Sequence, residues 1–170
     1  MTLEQATNRL RANGAVIAAL VENLPDREAR WKPSPEEWSI LEVVNHLCDE
    51  EREDFRTRID YTLHRPAEKW PPIDPPGWVI SRGYNTRDVA ESVANFQRER
   101  AASLAWLAAL ADPDWDAGRD HPAIGRLRAG DLLASWVAHD YLHIRQLNAL
   151  HFAFHQADAL PYDVRYAGEW

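Results

Sequence analysis

The chain has 170 residues, 45% hydrophobic and 27% charged, which predicts one compact domain over residues 1–170 rather than a disordered chain. Its formal net charge of −8 disfavours nonspecific nucleic-acid binding, because a phosphate backbone needs a basic surface. The single cysteine, Cys48, excludes an internal disulfide and a cysteine-rich zinc site, so any metal must be held by histidines and carboxylates.

The first two predicted helices each carry one apolar stripe and a clear boundary signal. The first covers residues 3–24, and Pro25 follows it as a stop. The second covers residues 39–64 and begins with a capping box, in which Ser39 caps the helix and Glu42 reaches back to the Ser39 amide. Both stripes are typical of helices that bury one face against their neighbours.

Two further segments with helical periodicity follow. The third predicted helix covers residues 86–111, begins near Asn85 or Thr86 and ends before the Asp112–Pro113 pair. The fourth covers residues 129–152. Four amphipathic helices in a chain of this length predict an all-α fold, a four-helix bundle.

Two connections are long for such a bundle. Residues 65–84 hold five of the eleven prolines, which forbids a continuous helix there, and residues 112–128 are polar and contain glycine. A crossover as long as 65–84 lets the second and third helices run parallel, and loops of this size are often functional. The C-terminal tail, 153–170, is rich in aromatic residues and is either docked on the domain or part of a dimer contact.

Two histidines lie one turn apart on the fourth helix, where a core would ordinarily have leucine. At about 100° per residue, His139 and His143 fall on the stripe formed by Leu132, Trp136, Leu147 and Leu150. Neutral imidazole is a common metal ligand, and such a pair can offer two nitrogens to one ion. Two hydrogen-bonded core histidines would produce the same pattern, so the pair alone leaves both interpretations open.

A third ligand has to come from another helix, since catalytic metal sites usually have three protein ligands. His46 lies on the shoulder of the apolar stripe of the second helix and can point between helices. Glu50 follows one turn later and Asp54 one turn beyond that. A carboxylate at Glu50 is therefore a candidate fourth ligand, proton acceptor or brace for a ligand, with a solvated surface charge as the alternative.

The order of two motifs resembles the DinB-like family, and the similarity spans nearly the whole chain. The motifs are W-S-x-x-E-x-x-x-H, at Trp38, Ser39, Glu42 and His46, and H-x-x-x-H-x-x-Q, at His139, His143 and Gln146. A turn at Gly125–Leu127 precedes the second motif. The resemblance implies an up-down four-helix bundle in which the second helix supplies one histidine and the fourth helix two histidines to a divalent metal, namely His46, His139 and His143.

The family includes YfiT-type metal-dependent hydrolases, thiol-dependent transferases and isomerases, and members with no assigned reaction. The resemblance therefore implies a divalent metal ion and a small-molecule substrate, with a low-molecular-weight thiol as a second possible cofactor. Zn, Ni, Fe and Co are not distinguished, because three imidazoles suit all four. Gln146, at the edge of the site, becomes a candidate for binding substrate or water. A non-catalytic metal-binding stress or scaffold protein that acts as a dimer is the alternative.

Asp140 lies within the apolar arc of the fourth helix, and a buried acid needs a hydrogen-bond donor. It either orients a histidine or forms a structural ion pair with an arginine. The segment from His139 to His143 also differs from the zincin motif H-E-x-x-H only by Asp for Glu. The shorter Asp side chain, and Ala149 where the metzincin extension needs a histidine, disfavour a peptidase.

The remaining histidines and the cysteine are not expected to bind the same ion. His151 is turned roughly 120° from His139 on a straight helix, so His151 and His155 form no common site with it. His121 either lines the mouth of a cavity or lies in solvent. Cys48 projects away from His46 and is predicted to be a packing thiol.

No segment approaches the roughly 18 apolar residues of a membrane span, and the N-terminus lacks the features of a signal peptide. We therefore expect a cytoplasmic protein with no membrane or nucleic-acid partner. Symmetric dimers are common, and the aromatic tail offers a surface for one, so a homodimer is also expected.

Overall fold

The computed structural model describes residues 1–170, which are mainly helical. Its α-helices are α1 (Leu3–Val21), α2 (Asp26–Ala29), α3 (Ile40–Asp49), α4 (Arg56–His64), α5 (Pro75–Ser81), α6 (Val89–Ala109) and α7 (Ala129–Asp158). A π-helical segment, Glu50–Phe55, joins α3 to α4, and a hairpin of β1 (Gly118–His121) and β2 (Gly125–Arg128) precedes α7. None of the helices is both long enough and apolar enough to cross a bilayer.

The predicted four-helix bundle is confirmed, and its members are α1, α3 continued by α4, α6 and α7. The second and third of these run parallel. Asn45 of α3 donates to Ser92 of α6, and further along both helices Arg56 donates to Ser103. The long connection 65–84 makes this possible by returning the chain to the end of the bundle at which α3 begins.

The first and last bundle helices are also parallel. Leu3 and Leu133 line one hollow near the starts of α1 and α7, and near their ends His151 contacts the Leu20 carbonyl. The two parallel pairs oppose each other, because α3 and α7 are antiparallel. Glu51 meets Trp136, whereas the ring of His46, earlier in the chain, lies against that of His143, which is later. The four helices therefore run up, down, down and up in chain order. This differs from the strict up-down alternation that the family resemblance implied.

Two apolar clusters fill the core, and a buried polar layer separates them. One cluster contains Ile17, Leu47, Phe96 and Leu147, and the other contains Leu10, Phe55, Leu107 and Trp136. On each helix the polar or small residues lie between the members of the two clusters. Glu51, Arg100 and Asp140 occupy this layer and are each at most 4% exposed.

The structure differs from the predicted elements at several places. The first helix ends at Val21 rather than at residue 24, and the third begins at Val89 rather than at residue 86, because Asp88 caps it. Residues 112–128 contain the β-hairpin rather than only loop, and β2 begins at Gly125 with a φ of 83°. The connection 65–84 contains α5, whose two prolines stand in the first turn, where no hydrogen bond is lost. The fourth helix continues to Asp158, because no helix breaker occurs before Pro161.

Candidate metal centre

Three histidines from two antiparallel helices meet in the polar layer. His46 lies in the last turn of α3, while His139 and His143 lie on consecutive turns of α7. The capping box at Ser39 sets where α3 begins, since its hydroxyl accepts from the Glu42 amide while the Glu42 carboxylate accepts from the Ser39 amide. This fixed start determines which face of α3 carries His46.

The spacing of the three imidazoles fits a single divalent ion. The Nε2 atom of His139 lies 3.4 Å from Nε2 of His46 and 3.1 Å from Nε2 of His143. Tetrahedral coordination at about 2.0–2.1 Å separates ligand nitrogens by about 3.3 Å. One donor nitrogen from each of the three rings lies within 4.8 Å of the others. The residues present therefore satisfy the distance requirement of a three-histidine site.

Burial keeps these imidazoles neutral, as ligation requires. Loss of solvation, followed by the neighbouring His143, lowers the pKa of His46 to about 3. The same causes, with His46 and Arg100 contributing, lower the pKa of His139 to about 2. Burial also lowers the pKa of His143. All three rings therefore offer an uncharged lone pair at neutral pH.

Gln146 braces one of the three histidines. Its Oε1 atom lies 2.7 Å from Nδ1 of His143, so the imidazole donates through Nδ1 and keeps the lone pair on Nε2. Metal-binding histidines ordinarily have such an acceptor behind them. The predicted role of Gln146 in binding substrate or water stays a prediction, whereas its contact with His143 is direct.

Glu50 lies behind His46. It is buried, so the alternative interpretation of Glu50 as a solvated surface charge is wrong. It is 4% exposed, and its Oε1 atom is 3.8 Å from Nδ1 of His46. Burial, then the charge of Asp54, raises the pKa of Glu50 to about 8, so this carboxyl is largely protonated at neutral pH. Its role as a proton acceptor stays a prediction.

The π-helical segment explains how two consecutive glutamates can both be buried. A residue inserted into a helix widens one turn and rotates the side chains that follow, and such bulges are frequent at functional sites. Glu50 therefore faces His46, while Glu51 faces Arg100 on the other side of the same turn. Nothing in the sequence predicted this widening.

Asp140 belongs to an ion-pair network and does not accept from a histidine. Both of its carboxylate oxygens accept from Arg100, each at 2.8 Å. Arg100 also donates to Glu51 at 2.9 Å and to the Leu10 carbonyl, while Trp136 donates to Glu51. Of the two predicted roles of Asp140, the structural ion pair is the one observed. Its candidate role beside the substrate or a ligand stays a prediction, with both carboxylate oxygens already paired with Arg100.

Arg100 was not predicted from the sequence, although its position carries a signal. Arg100 lies seven residues after Val93 and seven before Leu107, on the buried stripe of α6. A charged residue at such a position requires a buried partner. The unassigned acid Asp140, on the buried stripe of α7, was that partner.

The other histidines and Cys48 lie outside the site. His151 contacts Glu28 and the Leu20 carbonyl, and His155 is exposed. His121 is half-buried on β1, with its ring 6.2 Å from that of Trp70. Burial raises the pKa of Cys48 to about 12, which leaves a packing thiol and no nucleophile.

Buried histidines with lowered pKa values and buried carboxyls with raised pKa values make the stability of the protein depend on pH. Below pH 6.5 the unfolded chain binds protons at His46 and His139 that the folded chain takes up only near pH 3 and 2, so acid lowers stability. Glu50 has the opposite effect. Its pKa rises from 4.5 to about 8 on folding, so the stability it contributes is lost as the pH rises through that window.

We therefore expect the free energy of unfolding, measured with urea in the presence of a chelator, to fall on both sides of a broad maximum. Glu51 and Asp54, whose pKa values burial also raises, act with Glu50 and offset the histidines between about pH 4.5 and 6.5. The Glu50→Gln variant should show a shallower decline between pH 6.5 and 8. An unchanged slope in that variant would contradict the assignment.

A cavity of about 630 Å³ reaches one edge of the histidine cluster. Its lining includes His143 and Gln146 together with Trp38, whose indole also packs on the His46 ring at a centroid distance of 4.9 Å. The cavity is open to solvent at its outer end and lies within the size range of small-molecule sites.

Comparison with known proteins gives a family and similar solved structures. The model of the DinB superfamily matches residues 9–147. The structure of YfiT from Bacillus subtilis, described as a probable metal-dependent hydrolase with an unusual four-helix bundle topology, superposes with a TM-score of 0.76. The two chains are 23% identical, and the match covers 87% of this chain and 85% of YfiT. No curated protein sequence matches the chain.

Proposed function

Because the chain belongs to the DinB superfamily and gathers three neutral imidazoles at one point, we propose that it binds a divalent metal and hydrolyses a small molecule. The observation that carries this proposal is the spacing of the three Nε2 atoms, 3.1 and 3.4 Å around His139. The description of YfiT as a probable metal-dependent hydrolase supports hydrolysis as the reaction. Zn, Ni, Fe and Co all remain candidates for the ion.

Each residue has a definite task in this proposal. His46, His139 and His143 would hold the ion, which would polarise a substrate oxygen or lower the pKa of a bound water to about 7. Gln146 keeps the His143 imidazole in the tautomer whose Nε2 is free. Glu50, behind His46, is the candidate to take up or release a proton. The cavity at His143 admits the substrate.

The test begins with the metal content of the purified protein. We expect close to one divalent ion per chain, removable by a chelator and restored by Zn, Ni, Fe or Co. Hydrolysis of uncharged esters and amides should disappear with the ion and return with it. A protein that holds no stoichiometric ion after reconstitution would overturn the proposal.

The same assay separates water from a thiol as the activated group. We propose a low-molecular-weight thiol as the second possible cofactor, because an open metal position accepts a thiolate as readily as a hydroxide. Turnover that requires an added thiol, and consumes it stoichiometrically, would identify an S-transferase. Turnover in the absence of any thiol would identify the hydrolase.

A non-catalytic role as a cytoplasmic dimer is the remaining proposal, and a surface feature favours it. Tyr162 and Tyr166 of the tail are 80% and 105% exposed, more than an aromatic side chain usually is in a monomer. Sedimentation equilibrium on the native protein and a Tyr162→Ser, Tyr166→Ser variant tests this point. We expect a native homodimer and a weakened one in the variant, whereas a native monomer would contradict it.

A further inference from the structure

Three aromatic side chains line the cavity beside His143, namely Trp38, Phe152 and Trp170. Ala149, Leu150 and Ala153 complete its apolar lining. Trp170 stacks on Phe152 with a centroid distance of 4.7 Å and an interplanar angle of 10°, although its side chain is 71% exposed. A nearly parallel aromatic pair with one open face is a surface on which another planar group can stack.

The polar residues that line the cavity differ in burial. His143 and Gln146 are half-buried, and through His143 the cavity reaches one proposed ligand imidazole. Glu36 and Glu37 are exposed, and no lysine or arginine lines this cavity. Apart from an ion held at His143, the cavity has no positive charge, so its two carboxylates repel an anionic ligand as it enters.

A second hollow adjoins this cavity. It shares His143, Gln146, Ala149 and Trp170 with the first, whereas Leu142 and Arg145 line only the second. The indole of Trp170 therefore belongs to the wall that the two hollows have in common. Removing the indole would open part of this wall towards the hollow that Arg145 lines.

We infer that the cavity binds an uncharged molecule with a planar apolar body, which lies against Trp38 and the Phe152–Trp170 stack with its polar end at His143 and Gln146. Trp170 contributes to the selection, because its indole supplies stacking area and is part of the wall shared with the hollow that Arg145 lines. The inference rests on the proposed function only in taking this molecule to be the substrate.

The test uses two fluorescent probes of similar size and different charge. N-phenyl-1-naphthylamine is neutral and planar, and 8-anilinonaphthalene-1-sulfonate carries a negative charge. The intact protein, treated with a chelator so that only side-chain charges act, should bind the neutral probe at least about tenfold more tightly than the anionic one, a difference of about 1.4 kcal/mol. Equal affinities, or tighter binding of the anion, would overturn the inference.

Three variants locate the binding. Trp170→Ala should lower the affinity for the neutral probe about fivefold or more, because stacking area is lost. It should also reduce the ratio of the two affinities, because Arg145 becomes exposed to the cavity. Ala153→Trp, which fills the cavity without removing a wall, should block the neutral probe. Ile80→Ala, on an exposed side chain of α5 that lines neither hollow, should change neither affinity. Unchanged binding in both Trp170→Ala and Ala153→Trp would overturn the inference.

Metal analysis of the same preparations after reconstitution keeps the two proposals distinguishable. Selective, Trp170-dependent binding of the neutral probe by a protein that retains no ion would support the cavity inference and contradict the proposed function. A protein that holds one ion per chain but binds neither probe would support the metal site and contradict the cavity inference.

Discussion

Replacing His139 by leucine is expected to lower the affinity for a divalent ion by more than about 100-fold, because changes to residues that merely support a ligand already cost 10- to 100-fold. His139 is the central member of the cluster, with its Nε2 atom 3.4 Å and 3.1 Å from those of His46 and His143. Removing it leaves two ligands on different helices with no nitrogen between them.

Leucine is chosen because it separates metal binding from core packing. His139 lies on the stripe of Trp136 and Leu147, and its ring packs 5.2 Å from that of Phe55, so an apolar side chain is compatible with the site. The variant also removes a buried group that resists protonation, so its stability at pH 4 should rise relative to the native protein. A misfolded variant would therefore not be mistaken for a ligand-free one.

Metal affinity is measured by competition with a chromophoric chelator, and two further variants serve as reference points for the effect of His139→Leu. Gln146→Leu should weaken binding about 10- to 100-fold, since it removes the acceptor that fixes the His143 tautomer. His155→Asn, on an exposed residue of the same helix, should leave binding unchanged. If His139→Leu binds the ion as tightly as His155→Asn, the three histidines are core residues and the metal site does not exist.

The parts of the fold that the sequence predicted are those determined by local periodicity. Apolar spacing located the four bundle helices, and the Ser39–Glu42 capping box located the start of α3. The same periodicity placed His139 and His143 on one buried stripe. The identification of His46 as the third member needed the family resemblance as well, since its position on the stripe is only peripheral.

The parts that could not be predicted depend on contacts between distant segments. The π-helical widening at Glu50 and Glu51 has no local sequence signal, because it is stabilised by what each side chain meets across the bundle, His46 for one and Arg100 for the other. The β-hairpin was hidden in a polar, glycine-containing stretch with no alternating pattern. Trp170 reaches the cavity only because the chain after α7 folds back onto Phe152.

Replacing Arg100 by methionine is expected to lower the free energy of unfolding by about 3–5 kcal/mol, because removing one partner of a buried ion pair leaves uncompensated charge. Arg100 contacts all the other members of the bundle. It donates to the Leu10 carbonyl of α1, to Glu51 beside α3 and to Asp140 of α7. Methionine retains much of the length of the side chain but satisfies neither carboxylate.

The matched control is Arg98→Met, an exposed arginine on the same helix, for which we expect a change within about 0.5 kcal/mol in urea unfolding. The loss in free energy of unfolding caused by Arg100→Met should become smaller as the pH falls towards 4. Without the guanidinium, burial raises the pKa of Glu51 further, and a group with a raised pKa contributes stability that is lost as the pH rises. A deficit below 1 kcal/mol at pH 7 would show that the network is not the support we describe.

The network also links fold stability to the metal site, because its two acids are chain neighbours of residues in that site. Asp140 follows His139, and Glu51 follows Glu50. Adding Glu51→Leu and Asp140→Leu to Arg100→Met removes the unpaired charges, and we expect this triple variant to recover most of the lost stability, as apolar replacements of buried ion pairs often do. If the network also sets the position of α7 against the π-helical segment, the triple variant should remain stable yet bind the metal more weakly. Native metal affinity in a stable triple variant would show that helix packing alone positions the three histidines.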